Sequence, residues 1–216
     1  NIAFATMNLI PASIPQRKRN IKTYKGSRQV AYLHPDYFVP SKEVLKRYSL
    51  HENEYVFVRE IKKTFNYRHY FVSSFEIIPY ILKKGLKIVL SSEVPIPEQY
   101  LHDDGIKIFK SPDDIFSLQK YAKFTLSTGD SMARESAVLG TPAIYIGRRD
   151  MYINHELIEI GALLKRDTKN EIYGEIERLV KEDIKPVLHE RIDKAFKERW
   201  DDVTSIIVKT IEEMIE

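Results

Sequence analysis

The chain has 216 residues, 43% of them hydrophobic, enough to bury one sizeable α/β core with extensions. It has no cysteine, which excludes disulfides, thiol catalysis and cysteine-ligated metal and fits a cytoplasmic protein. The net charge of +3 traces to a basic stretch (Arg17, Lys18, Arg19, Lys22, Lys25, Arg28) with sparse aromatics and no RNA-binding motif, which argues against a nucleic-acid partner.

In chain order, residues 1–41 read as an extended connector punctuated by Pro11, Pro15, Pro35 and Pro40, with a short strand at Ile2 to Thr6. Asn1 to Ile14 lacks the basic start of a signal peptide, and an initial Asn points to a processed or truncated chain. Residues 42–216 are expected to form the folded domain, with C-terminal helices. A helix capped by Ser41 runs to Tyr48, and strands and helices then alternate. Strands are predicted at Tyr55 to Arg59, Lys87 to Ser91, Ile106 to Phe109, Phe124 to Ser127, Ala143 to Ile146 and Leu163 to Leu164. Helices are predicted over His69 to Lys84, Pro112 to Tyr121 after a Ser111 cap, Asn154 to Ile160, Lys169 to Glu182, and Val187 to Ile215 with a break near Trp200 to Asp202. This alternation predicts an α/β, Rossmann-like, doubly wound parallel sheet. The apolar strand at Phe124 is expected at its centre. No apolar run is long enough for a membrane span.

Most of the chemistry concentrates in Phe124 to Gly147. Gly129 permits a sharp turn after the strand, and Ser131 is placed to cap the helix that follows. Gly140 stops that helix and Pro142 forbids its continuation. A helix N-terminus beyond the strand ends favours a phosphate. Glu135, one turn in, can accept hydrogen bonds from sugar hydroxyls. The same pattern is also compatible with an ordinary structural corner.

With Gly129, Met132, Arg134, Glu135, Leu139, Gly140, Thr141 and Pro142, the motif resembles a mostly archaeal family of unknown function, domain family 354. It also resembles the nucleotide-sugar signature in the C-terminal half of GT-B proteins, among them UDP-N-acetylglucosamine 2-epimerases and MurG-type glycosyltransferases. Val58-Arg59, Tyr32-Leu33 and Gly161-Ala162 extend the likeness weakly. The resemblance implies a GT-B C-terminal-half fold that grips a nucleotide-sugar, UDP-linked, opposite a missing or separate N-terminal Rossmann-like domain. Residues 1–41 would then be the interdomain connector. The implied ligand-binding set is Arg59, Gly129, Asp130, Ser131, Met132, Arg134, Glu135, Arg148 and Glu156, with the catalytic residues unassigned. A half-protein that completes another chain's site, or a relic domain without ligand, stands as the alternative. Asp130 replaces the family's second glycine. A carboxylate there opposes an anion unless a cation or arginine offsets it.

The loop after the first domain strand adds Glu60, Lys62, Lys63, Arg68 and His69 around Arg59, a basic mouth suited to a diphosphate. The six histidines show no metal spacing, and there is no nucleophile elbow or phosphate-binding Gly-Lys-Ser/Thr loop, so no metal or cofactor is expected.

Overall fold

The structure, a computed structural model, describes residues 8–12, 21–63 and 72–215. The predicted strand at Ile2 to Thr6 lies outside the described residues. So do Arg17, Lys18, Arg19, Arg68, His69 and the start of the helix predicted from His69.

Two short strands, β1 (Asn8–Pro11) and β2 (Ile21–Tyr24), pair in parallel. Where an extended connector was expected, Arg28–Leu33 instead forms a helix, α1. Val30 and Leu33, three apart, fall on one face and are buried with Tyr24. Pro35 ends the helix by driving His34 to an extended ψ of 139°. Helix α2 (Glu43–Tyr48) starts one residue later than a Ser41 cap would give, although Ser41 Oγ still accepts from Glu43 N at 3.3 Å.

The main sheet begins at β3 (Tyr55–Glu60). A 3-10 turn at Ser74–Glu76 leads into α3 (Ile78–Lys83), then β4 (Lys87–Ser92), α4 (Glu98–Leu101) and β5 (Ile106–Ile108). The predicted helix from Pro112 opens as a 3-10 turn without a Ser111 side-chain cap and becomes α5 (Ile115–Tyr121). There follow β6 (Phe124–Ser127), α6 (Asp130–Val138), β7 (Ala143–Tyr145), α7 (Tyr152–Ile160), β8 (Leu163–Lys165) and α8 (Lys169–Lys181). The chain closes with α9 (Lys185–Glu198) and α10 (Val203–Ile215), separated near Trp200 as the sequence indicated.

All six strands are parallel in the order β5-β4-β3-β6-β7-β8. The chain winds outward from β3 through β4 to β5, returns to place β6 beside β3, and winds the other way. The topological switch point therefore lies between β3 and β6, where ligands bind in such sheets. Phe124 to Ser127 is wholly buried at the centre, as predicted.

Alternation along the strands divides the core. Val56, Val58, Ile88, Leu90, Phe124 and Leu126 pack on one face with Ile78 and Ile81 of α3 and Ile172, Ile176 and Leu179 of α8. Tyr55, Phe57 and Val89 face the other way, against Val44 of α2 and Leu118 of α5. Beside them α6, α7 and α9 bury Ala133, Ala137, Leu157, Ile160, Leu188 and Ile192. Burial of a Leu or Ile side chain contributes about 1.5–3 kcal/mol, so these two faces hold the fold.

Helix α8 carries a capping box. Thr168 Oγ1 accepts from Glu171 N (3.3 Å), and Glu171 Oε2 accepts from Thr168 N (3.0 Å). Thr168→Ala is expected to lower stability by about 1 kcal/mol. Urea unfolding checks this, and an unchanged midpoint would deny the cap its role.

Candidate functional site

The carboxyl ends of β3 and β6 meet through a tight set of local bonds. Arg59 pairs in register with Ser91 of β4 and Ser127 of β6. Its carbonyl accepts from Thr128 N at 3.1 Å, while Thr128 Oγ1 accepts from Ile61 N at 2.9 Å. Ser127 Oγ accepts from Gly129 N (3.1 Å) and donates to Gly129 O (2.7 Å). A Cβ on Gly129 would lie 2.8 Å from Ile61 Cγ2, so the turn needs glycine for close approach.

Gly129 itself is the N-cap of α6. Ser131 is therefore the second helical residue and not the cap that the sequence suggested. The helix begins one residue early, at Asp130, and its glycine N-cap has no side chain to bond the first-turn N–H groups. The C-terminal end behaves as expected. Gly140 takes φ +76°, and Thr141 N donates to Ser136 O at 2.9 Å before Pro142.

A cavity of about 180 Å³ opens at this switch point, lined by Arg59, Ile61, Lys62, Glu93, Gly129, Ser131, Met132 and Glu135. The structure thus brings together five of the implied ligand-binding residues, Arg59, Gly129, Ser131, Met132 and Glu135, with Lys62 of the basic loop. The volume is below the roughly 300–1,000 Å³ of a complete ligand pocket, as one wall of a wider cleft would be. The first turn of α6 faces it, and the helix leaves its first N–H groups without intrahelical partners.

Glu135 is half-buried. Tyr32 donates to Glu135 Oε1 at 2.9 Å, and Gln119 Nε2 approaches Oε2 at 3.5 Å. Burial pushes the Glu135 carboxyl above its ordinary pKa, opposed by these two donors. Burial and the neighbouring Glu135 charge likewise raise the Tyr32 phenol, so Tyr32 serves as a donor.

Asp130 and Arg134 stand behind the cavity wall. Asp130 is 1% exposed, with Oδ2 lying 3.1 Å from Arg134 Nη1 and 3.5 Å from Arg149 Nη1. Arg134 is also buried and donates to Asn154 Oδ1 on α7 at 2.9 Å. Two arginines thus offset the departure from the glycine pattern. The four side chains tie the start of α6 to the start of α7.

Arg148 is exposed after β7 and Glu156 is half-buried on α7; neither lines the cavity. Glu60 turns away from it, accepting from Ser74 N at 2.7 Å and Ser73 Oγ at 3.0 Å. Sequence reasoning missed Glu93, Ile61 and Asn154. Glu93 lies directly past the end of β4, the one signal that pointed to it. Among the described residues no cluster of His, Asp and Glu is arranged to hold a metal ion.

The chain belongs to the family described as protein of unknown function (DUF354), which matches residues 10–216. No curated protein matches it. Among solved structures it is similar to the UDP-GlcNAc 2-epimerase of Methanocaldococcus jannaschii in complex with UDP-GlcNAc and UDP. That match has 16% identity and TM-score 0.57, and it covers 77% of this chain and 50% of that one. It is also similar to S. aureus MnaA with UDP, at 15% identity and TM-score 0.64, covering 93% and 55% of the two chains. A third is the glycosyltransferase VinC in complex with dTDP, at 16% identity and TM-score 0.53, covering 82% and 44%. At these identities the likeness shows a shared GT-B-like, Rossmann-like fold. The chain spans about half the length of the structures it matches.

Proposed function

We propose that the switch-point cavity takes the diphosphate of a nucleotide-sugar, UDP-linked. On this reading the chain is the nucleotide-sugar half of a GT-B-like glycosyltransferase or sugar epimerase of the cytoplasm. The observation that carries it is the convergence of Arg59, the α6 N-terminus and Glu135 on one cavity between β3 and β6. A guanidinium and a helix N-terminus favour a diphosphate, and a carboxylate beside them suits ribose hydroxyls. Positive charge held there before the ligand arrives would also stabilise a departing diphosphate. The solved structures that share the fold contain UDP, UDP-GlcNAc or dTDP, which agrees with this choice of ligand.

An N-terminal Rossmann-like domain, preceding or separate, would supply the facing wall and the acid/base groups. The small cavity and the half-length matches support that arrangement. The relic or non-catalytic partner reading draws on one observation: Glu135 is already bonded to Tyr32.

Thermal unfolding with increasing UDP decides between them. A real ligand at a hundred times its Kd adds about 2.7 kcal/mol, so the melting temperature is expected to climb with UDP concentration. A melting temperature indifferent to UDP, UDP-GlcNAc and dTDP would favour the relic.

A further inference from the structure

Glu93 is the cavity residue that the nucleotide reading leaves without a role. Its backbone is fixed, because Glu93 N donates to Glu60 O at 2.9 Å. One carboxylate oxygen accepts from the Arg59 guanidinium, and the other accepts from Lys62 N at 3.0 Å. Arg59 is steadied on its other side by Ser91 Oγ at 2.7 Å. A guanidinium and a backbone N–H converging on two oxygens of one anion are the donors a phosphate takes. Here the Glu93 carboxylate holds both of them.

We propose that Glu93 is an internal counter-anion: its carboxylate occupies the Arg59 and Lys62 donors until a ligand phosphate displaces it, so the cavity selects polyanions. The placing of the phosphate rests on the nucleotide reading above; the displacement itself concerns any anion. Exposure decides which acid can yield. Glu93 is 44% exposed, so its released carboxylate returns to water. Asp130 is buried between arginines and stays where it is. A monoanion merely exchanges one negative charge for another at Arg59. A pyrophosphate group brings further charge to Lys62 and the α6 N-terminus, and that surplus drives the exchange.

The experiment is calorimetric titration of the native chain and Glu93→Gln with inorganic pyrophosphate, and separately with UDP, at low and high salt. Glutamine keeps the shape and an acceptor for Lys62 N but removes the competing charge. Pyrophosphate is expected to bind the variant roughly tenfold tighter at low salt, with the advantage shrinking as salt rises. Glu93→Ala, which also frees the donors, should shift affinity in the same direction. Equal or weaker pyrophosphate binding by both variants, or none by any of the proteins, overturns the proposal. UDP separates the two readings. Tighter pyrophosphate binding by Glu93→Gln without any UDP binding supports the counter-anion and defeats the nucleotide reading. UDP binding that is the same in native and variant chains keeps the nucleotide reading and overturns the counter-anion.

Discussion

Glu135→Gln is expected to weaken UDP binding by roughly ten- to a hundredfold while leaving the domain folded. Loss of a charged hydrogen bond to a ligand costs about 1.5–3 kcal/mol, and that sets the range. From sequence alone, alanine looks like the clean substitution, since a carboxylate early in the helix need not touch the core. The structure changes that choice. Glu135 accepts from Tyr32, so alanine would strand a phenol, whereas glutamine retains an acceptor for it. The weak 3.5 Å approach of Gln119 is the contact glutamine disturbs.

Stability should move with pH in a defined direction. Burial raises the Glu135 pKa, so the folded chain holds this proton more tightly than the unfolded chain. The stability Glu135 contributes is therefore full below the unfolded carboxylate value and is lost as pH rises through the raised folded value. Glutamine does not titrate. The native chain should thus lose ground relative to Glu135→Gln as pH increases from the acid range towards neutrality. Calorimetry with UDP and urea unfolding across that range test both halves. Undiminished UDP affinity would remove Glu135 from the ligand, and a stability difference flat in pH would remove the buried charge.

The parts of the fold legible in the sequence are those whose causes are local. Gly140 and Pro142 dictate a stop and a restart through backbone geometry alone, and the end of α6 and the start of β7 follow. Buried strands such as Tyr55 to Arg59 announce themselves by apolar, β-branched runs. Helix α1 escaped because a six-residue helix carries little intrinsic helicity; packing on the core holds it. One-turn α4 escaped for the same reason. The site divides along the same line. Arg59 and the α6 residues were visible because strand ends and helix starts are visible. Glu93 also follows a strand end, but its pairing with Arg59 depends on the β3–β4 register that sets Ser91 opposite Arg59. The expected Ser131 cap failed because the helix starts at Asp130 with Gly129 as N-cap, which leaves Ser131 inside the first turn.

Asp130→Asn should be the most damaging of these substitutions, lowering stability by about 3–5 kcal/mol, the range for removing one partner of a buried ion pair. By sequence, Asp130 is an acid standing where its family has glycine, beside a phosphate position. In the structure its carboxylate is the counter-charge for Arg134, which is 7% exposed, and for Arg149. Arg134 has little in reserve, because its Nε is buried without a hydrogen-bond partner. Asparagine keeps the shape, so any loss reports charge and not packing. Burial also shields the pair from ions, so the loss should hold at high salt. Arg134→Met removes the other partner, and the Asp130→Asn/Arg134→Met double variant should be less destabilised than the two singles added together. Urea unfolding of all four proteins at two salt concentrations is the measurement. A loss below about 1 kcal/mol, or strict additivity in the double variant, would mean that Asp130 does not hold α6 to α7 through its charge.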